Sequence, residues 1–274
     1  LYEIAHALWG EPGDAAFLAR LYASGTSRAA TEALLLGPDI LPDTAPAVAR
    51  SEVQDPSGYA VLRGGTPQRE RWLLLKYGPH GGGHGHPDKL ALDLHAFGRR
   101  LSPDLGTPGY GIALNRTWYR HTLAHNTVLL DEAGQPPATG RLLRFDANDG
   151  HHTVAEAAVT WPDDAPAPYA GVTLHRCILW KPAAEPYFLD VVRVTCPGAT
   201  PRRIDLAWHH LGDLDLPGLA PVDLAAGGDT YPLLREARQL TARAWRATWH
   251  AEGAGTACWA LDPPGTATIA TRAP

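Results

Sequence analysis

Methionine does not occur in this sequence, and cysteine occurs only three times in 274 residues. Cys177, Cys196 and Cys258 are odd in number and far apart, which argues against a disulfide framework and for buried free thiols in strand-like runs. No run rich in Lys or Arg occurs and the formal charge is -5, so no nucleic-acid partner is expected. No apolar stretch approaches the ~20 residues that a membrane-spanning helix requires, and no membrane partner is expected. A charged leader followed by an apolar segment is also missing, so no signal peptide is expected and the compartment stays open. With no methionine and Leu1 in first place, the sequence reads as part of a longer protein. What is plentiful is apolar residues, at 45%, enough for a substantial core.

Two characters follow one another along the chain. Residues 1–36 read as helical: Leu1, Ile4, Ala5 and Leu8 form an amphipathic stripe, and Asp14 is placed to cap a second helix carrying Phe17, Leu18 and Leu21. A third helix is expected from Arg28 to Leu36, stopping at Gly37-Pro38. Residues 37–50, GPDILPDTAPAVAR, read as a linker. Short alternating or β-branched runs then recur between Gly, Pro and Asp clusters, among them YAVLR, WLLLKY, NTVLLD, VTLHRCILW and YFLDVVRVT. The expected fold is mainly β: a large antiparallel sandwich over residues 47–274, preceded by a helical segment and linker over 1–46. KLALDLHAF suits either a strand or a helix, and its context favours strand.

Chemistry concentrates between Lys76 and Leu130. His80, His84, His86, His95, His121 and His125 fall there, with Lys76, Lys89, Arg99, Arg100, Arg116 and Arg120 against only Asp88, Asp93 and Asp104. An acidic protein is thus locally cationic and rich in imidazole, the commonest metal ligand. GPHGGGHGHPDKL lacks the GK[ST] of a phosphate loop, so phosphate cradling fits poorly. A metal needs three or four convergent ligands. His84-Gly85-His86 supplies one or two, Asp104 a carboxylate and His125 another imidazole, a His2Asp set suited to zinc. From spacing alone this competes with a plain glycine-rich turn, a surface carboxylate and a core-edge histidine. A cupin-like site is disfavoured, because Lys89, Leu90 and Ala91 stand where the pattern wants Glu.

GPHGGGHGHPDKL, GRRLSPDLGTPGYG and WYRHTLAHNTVLLDEAGQPPATGR together resemble the heparinase II/III-like superfamily of polysaccharide lyases, and most of all its oligoalginate-lyase branch. The likeness is dense from Lys76 to Arg141 and looser through YAGVTLHRCILW, YFLDVVRV and RRIDLAWHHLGDLD. It implies an N-terminal α/α toroid, of which residues 1–22 resemble the last helices, followed by antiparallel sheets. It also implies β-elimination next to a uronic acid in an acidic polysaccharide such as alginate or heparin. Carried over by motif, His84 is the active-site histidine, and His86, Asp104 and His125 hold one structural zinc ion. Tyr119 and Tyr110 are the phenols able to transfer protons, with Tyr119 slightly preferred because Arg116 and Arg120 flank it. Those two arginines are the candidate substrate-binding residues. The family's toroid supplies a further tyrosine with Asn or His partners, and nothing in residues 1–50 matches them. The resemblance therefore implies half an active site, with a non-catalytic sugar-binding module as the alternative and a homodimer left open.

Overall fold

The computed structural model describes residues 2–23, 25–37, 39, 50–65, 70–148, 151–182, 185–224, 230–242, 244–251, 254–261 and 266–274. The chain divides into two compact units, Leu1–Ala49 and Arg50–Pro274. Most of the expected linker, residues 40–49, lies outside the described residues.

The first unit contains three short helices, α1 (Tyr2–Trp9), α2 (Pro12–Ala23) and α3 (Thr31–Leu36). Its buried residues are small or unexpected: Ala15, Ala16, Leu18, Ala33 and, inside α1, Glu3. Glu3 is held from two sides. The Tyr22 hydroxyl donates to Oε1 at 2.6 Å, and Arg28 donates Nε to Oε1 at 2.6 Å and Nη2 to Oε2 at 2.8 Å. The expected stripe is therefore not what packs, since Leu8 is exposed. Asp14 lies inside the first turn of α2, where its charge complements the helix dipole, and does not cap it. The third helix begins at Thr31, later than expected, with Ala30 in extended backbone conformation before it. No toroid closes among the described residues.

The second unit is antiparallel throughout. Strands β1 (Glu52–Gln54), β2 (Tyr59–Gly64), β3 (Arg71–Lys76), β4 (Ala91–Ala96) and β5 (Arg99–Ser102) form a meander in sequence order. After β6 (Val128–Leu130) come β7 (Arg141–Asn148), β8 (His152–Thr160), β9 (Thr173–Lys181) and β10 (Tyr187–Thr195), a second sheet in the order β10-β9-β8-β7. The shorter β11 (Ile204–Leu206) pairs with β6. Two further sheets are built from β12 (Asp213–Asp215), β13 (Ala220–Pro221), β14 (Arg235–Leu240), β15 (Ala244–Ala251), β16 (Ala254–Leu261) and β17 (Thr268–Arg272), in the orders β12-β15-β16 and β13-β14-β17. The mainly β, antiparallel expectation holds, distributed over several sheets.

Alternation explains which faces are buried, because successive side chains of a strand point to opposite faces. In β3, Leu73 and Leu75 are buried while Trp72, Leu74 and Lys76 face the other way. KLALDLHAF does form a strand: Leu92, Leu94 and Ala96 are buried, and Asp93 and His95 are outward. These side chains share one core with Ala155, Ala157, Val159, Leu174, Ile178 and Trp180 of the second sheet. A smaller apolar cluster of Trp118, Leu123, Leu129, Ala207 and Tyr231 lies beside it. It supports the irregular segment between β5 and β6, on which most of the site is carried.

Candidate metal centre and cleft

The glycine loop between β3 and β4 has little freedom at its base. A Cβ on Gly85 would stand 1.6 Å from the carbonyl oxygen of His80, so only glycine lets these strands of loop approach. Lys89, fully buried, donates Nζ to the carbonyls of Gly78 at 3.0 Å and Pro79 at 3.2 Å. Burial pulls its pKa down, against the pull of Asp88 beside it. Asp88 in turn receives Lys76, and its carboxylate outweighs the burial that would otherwise lower that lysine's pKa. The loop end is thus tied down from below, and His84 and His86 project from it.

A second carrier is the turn before β6. Thr122 donates Oγ1 to the Pro87 carbonyl at 2.8 Å, joining this turn to the glycine loop. Asn126 donates Nδ2 to the Leu92 carbonyl at 2.8 Å and accepts the His209 N–H on Oδ1 at 2.5 Å. His125 sits between these anchors, 3% exposed. The third carrier is the segment after β5. The Asp104 N–H donates to Asp93, its carbonyl accepts Arg100 Nη2 at 2.5 Å, and its Oδ1 accepts the Gly106 N–H at 2.7 Å.

Together the three segments bring His86, Asp104 and His125 to one point, with a ligand atom from each within 4.8 Å of the others. Zinc holds N and O ligands at about 2.0–2.2 Å, which in a tetrahedral site puts donors ~3.4 Å apart, so the set would close by roughly 1 Å around an ion. The decisive feature is His125. Its Nδ1 approaches Asp104 Oδ2 to 3.3 Å without hydrogen-bond alignment, and neither buried ring nitrogen has a hydrogen-bond partner among the described residues. A buried polar atom left unpaired costs about 1–3 kcal/mol, and a cation shared with His86 and Asp104 removes that cost. The electrostatics agree. Burial, then the neighbouring His125, lowers the pKa of His86, which favours the neutral, ligating form. Burial opposes ionisation of Asp104, but His125, the Gly106 N–H and Lys76 outweigh it and keep the carboxyl well below its ordinary range. Asp93, by contrast, is pushed up to about 6 by burial. The residues present fit a divalent ion with two nitrogen ligands and one oxygen ligand.

Beside this centre opens a cleft of about 210 Å³, lined by His84, His86, Thr107, Tyr110, Asn115 and Arg120 among others. It is below the ~300–1,000 Å³ of typical ligand pockets. His84 Nδ1 and the Tyr110 hydroxyl share a hydrogen bond of 2.7 Å on its wall. Arg120 donates Nη2 to the Gly85 carbonyl at 3.2 Å, which places its guanidinium at the rim. Of the remaining expected residues, Tyr119 is half-buried against the smaller apolar cluster and does not line the cleft, and Arg116 is exposed and does not line it either. Thr107 and Asn115 do, and the sequence reading missed both. They carry no titratable group, and the π-helical turn Asn115–Tyr119 that aims Asn115 has no sequence signature.

Comparison with known proteins covers most of the chain. The family described as heparinase II/III-like, C-terminal, matches residues 48–272. An alginate lyase of Stenotrophomonas maltophilia is 31% identical over 180 residues, 58% of this chain and 23% of that protein. A heparin-sulfate lyase of Pedobacter heparinus is 26% identical over 111 residues, 39% of this chain and 17% of that protein. The solved structure of a mutant heparan sulfate lyase of the latter organism superposes with a TM-score of 0.54 at 19% identity, covering 86% of this chain and 34% of that one. That likeness is one of fold. The chain spans about a quarter or less of the length of these curated relatives, and alginate and heparin-sulfate lyases match alike, without preference for one branch.

Proposed function

This chain belongs to the heparinase II/III-like, C-terminal family, and from that premise we propose that it is the sandwich portion of a lyase that cleaves uronic-acid polysaccharide by β-elimination. In that reaction the C5 proton leaves, the C4–O4 bond breaks as its electrons depart with O4, the C5–H pair forms the C4=C5 double bond, and O4 takes up a proton. Three demands follow: an anionic carboxylate must be neutralised, a base must take the proton, and an acid must supply one.

The single observation carrying the proposal is the His84–Tyr110 hydrogen bond of 2.7 Å on the cleft wall, adjoining the His86–Asp104–His125 set. In our reading Tyr110 carries the proton at its hydroxyl, and His84 orients that hydroxyl and faces the carboxylate, which Arg120 helps to neutralise. Tyr119 and Arg116 stand outside the cleft lining, Tyr119 packed against the smaller apolar cluster and Arg116 exposed, and in our reading they act on substrate beyond this cleft. A zinc ion held by His86, Asp104 and His125 would fix the three loop segments together and supply positive charge near the carboxylate. Among the described residues lining the cleft Arg120 is the only arginine, which suits one carboxylate, so unsulfated alginate is the first substrate to test and heparan-type chains the second. The apolar side chains that the helical unit leaves exposed, Leu8, Trp9, Leu34 and Leu35, support reading residues 1–46 as the end of an α/α toroid and 47–274 as the sandwich.

The test uses the full-length protein that contains this chain, incubated with alginate and heparan-type oligosaccharides while the ultraviolet absorbance of an unsaturated uronate is followed. Tyr110→Phe should lower kcat by about 10²–10⁴-fold, the usual contribution of a positioned acid or base. Elemental analysis should find one zinc ion per wild-type chain, and His125→Ala should release it. Absence of the unsaturated product removes the lyase reading. Binding without product favours the second reading, a non-catalytic carbohydrate-binding module, which the short span of the chain relative to its relatives keeps in view.

A further inference from the structure

We infer that Asn115 is a substrate-binding residue of this cleft, its side-chain NH2 donating to the carboxylate of the bound uronate; this rests on the reading just given. Asn115 is 4% exposed, yet it lines the cleft together with His84 and Arg120. Its backbone is fully engaged, with the N–H donating to the Ile112 carbonyl at 3.0 Å and the carbonyl accepting the Arg120 N–H at 3.0 Å. The second of these bonds is the i→i+5 bond of the π-helical turn, a rare geometry that recurs at functional sites.

A short relay sets the direction of the amide. The Gly109 N–H donates to Thr107 Oγ1 at 3.2 Å, so the hydroxyl accepts there and turns its own hydrogen to Asn115 Oδ1, also at 3.2 Å. An oxygen at that position leaves Nδ2 on the other side of the amide, where no described residue accepts from it. The side chain is nearly buried, but its NH2 opens to the cleft, beside a guanidinium and an imidazole, where a ligand oxygen can accept from it. The three together are donors converging on an anion, and a uronate carboxylate is the anion that the proposed reaction requires. Because the amide is neutral, it binds the carboxylate in both protonation states of the neighbouring groups. The relay also gives Thr107 a task, as the positioning residue that keeps the amide from flipping.

The experiment is calorimetric binding to the full-length protein, with a saturated uronate oligosaccharide and its carboxyl-reduced counterpart as probes. Asn115→Asp keeps the shape and replaces a donor by an anion. Its affinity for the uronate probe should fall at least about tenfold, the scale of one hydrogen bond to a charged group, while affinity for the reduced probe and zinc content stay at wild-type values. Thr107→Val, at an exposed position that does not threaten folding, should weaken uronate binding by a smaller factor and likewise spare the reduced probe. Equal losses for both probes, or no loss in either variant, would overturn the assignment. A wild-type protein that cleaves uronate while Asn115→Asp binds normally sinks this inference alone; a wild-type protein that neither binds nor cleaves uronate sinks the lyase reading and this inference with it.

Discussion

Arg176→Met tests the buried scaffold behind the site. Arg176 lies in β9, 1% exposed, on the same face as Leu174, Ile178 and Trp180. Its guanidinium donates Nε and Nη2 to Asp190 at 2.8 and 2.5 Å, and Nη1 to the carbonyls of Leu90 at 2.7 Å and Asn126 at 2.6 Å. Methionine fills much of the same volume, so cavity formation contributes little and the electrostatic loss dominates. Asp190, its side chain 17% exposed, is left without a counter-charge, and the Leu90 carbonyl loses its donor from Arg176. The Asn126 carbonyl keeps the Leu92 N–H at 3.3 Å. Removing one partner of a buried ion pair costs about 3–5 kcal/mol. At roughly 2–4 °C per kcal/mol for a chain of this size, Tm should fall by roughly 6–20 °C. Urea unfolding in the presence of a chelator isolates the scaffold from any contribution of bound metal, because a ligand of the native state adds its own stabilisation. The double variant Arg176→Met/Asp190→Leu removes both charges and should recover at least half of the loss. A loss below ~1 kcal/mol in Arg176→Met, or no recovery in the double variant, would refute the reasoning that this pair is desolvated and binds the two sheets through backbone carbonyls.

Two further predictions concern the loop and the helical unit. Gly85→Ala forces the loop apart at the His80 carbonyl, so metal affinity measured by competition with a chromogenic chelator should drop at least about tenfold, whereas Gly83→Ala, whose Cβ meets nothing within 4 Å, should match wild type; equal behaviour of the two variants would contradict the close-approach argument. In the first unit, hydrogen bonds from Arg28, opposed by burial and aided by Tyr22, lower the Glu3 pKa, so its contribution to stability is present above the ordinary carboxylate pKa and lost as pH falls through the depressed one. A ¹³C titration of the glutamate carboxyls should show Glu3 ionising below the other glutamates, and Glu3→Gln should flatten the acid-side loss of the 222 nm ellipticity; a Glu3 midpoint at or above the ordinary range excludes the pairing.

How much of this was legible before the structure depends on the physics carrying each feature. Strand alternation has a period of two and is decided locally, so β3 and β9 could be read directly, whereas β4 also suited a helix and only its strand-rich context decided it. The convergence of His86, Asp104 and His125 was also legible, because a family likeness singled them out jointly, and anchors to backbone such as Thr122 and Asn126 hold them together. The helical stripe failed for the opposite reason. Which face of a short helix is buried depends on partners, and here Glu3, held by Tyr22 and Arg28, displaced the apolar stripe. The preference for Tyr119 over Tyr110 rested on flanking arginines, a statement about neighbours along the chain. The π-helical turn sets Tyr119 against the smaller apolar cluster, while Tyr110 arrives from a separate loop to meet His84. Arg176 shows both halves at once. The alternation in TLHRCILW puts it on the buried face, yet only the fold reveals Asp190 and the two carbonyls that make it tolerable. A local rule broken at a buried charge marks a place where long-range contacts decide the outcome, and in this chain those contacts converge on the segments that carry the histidines.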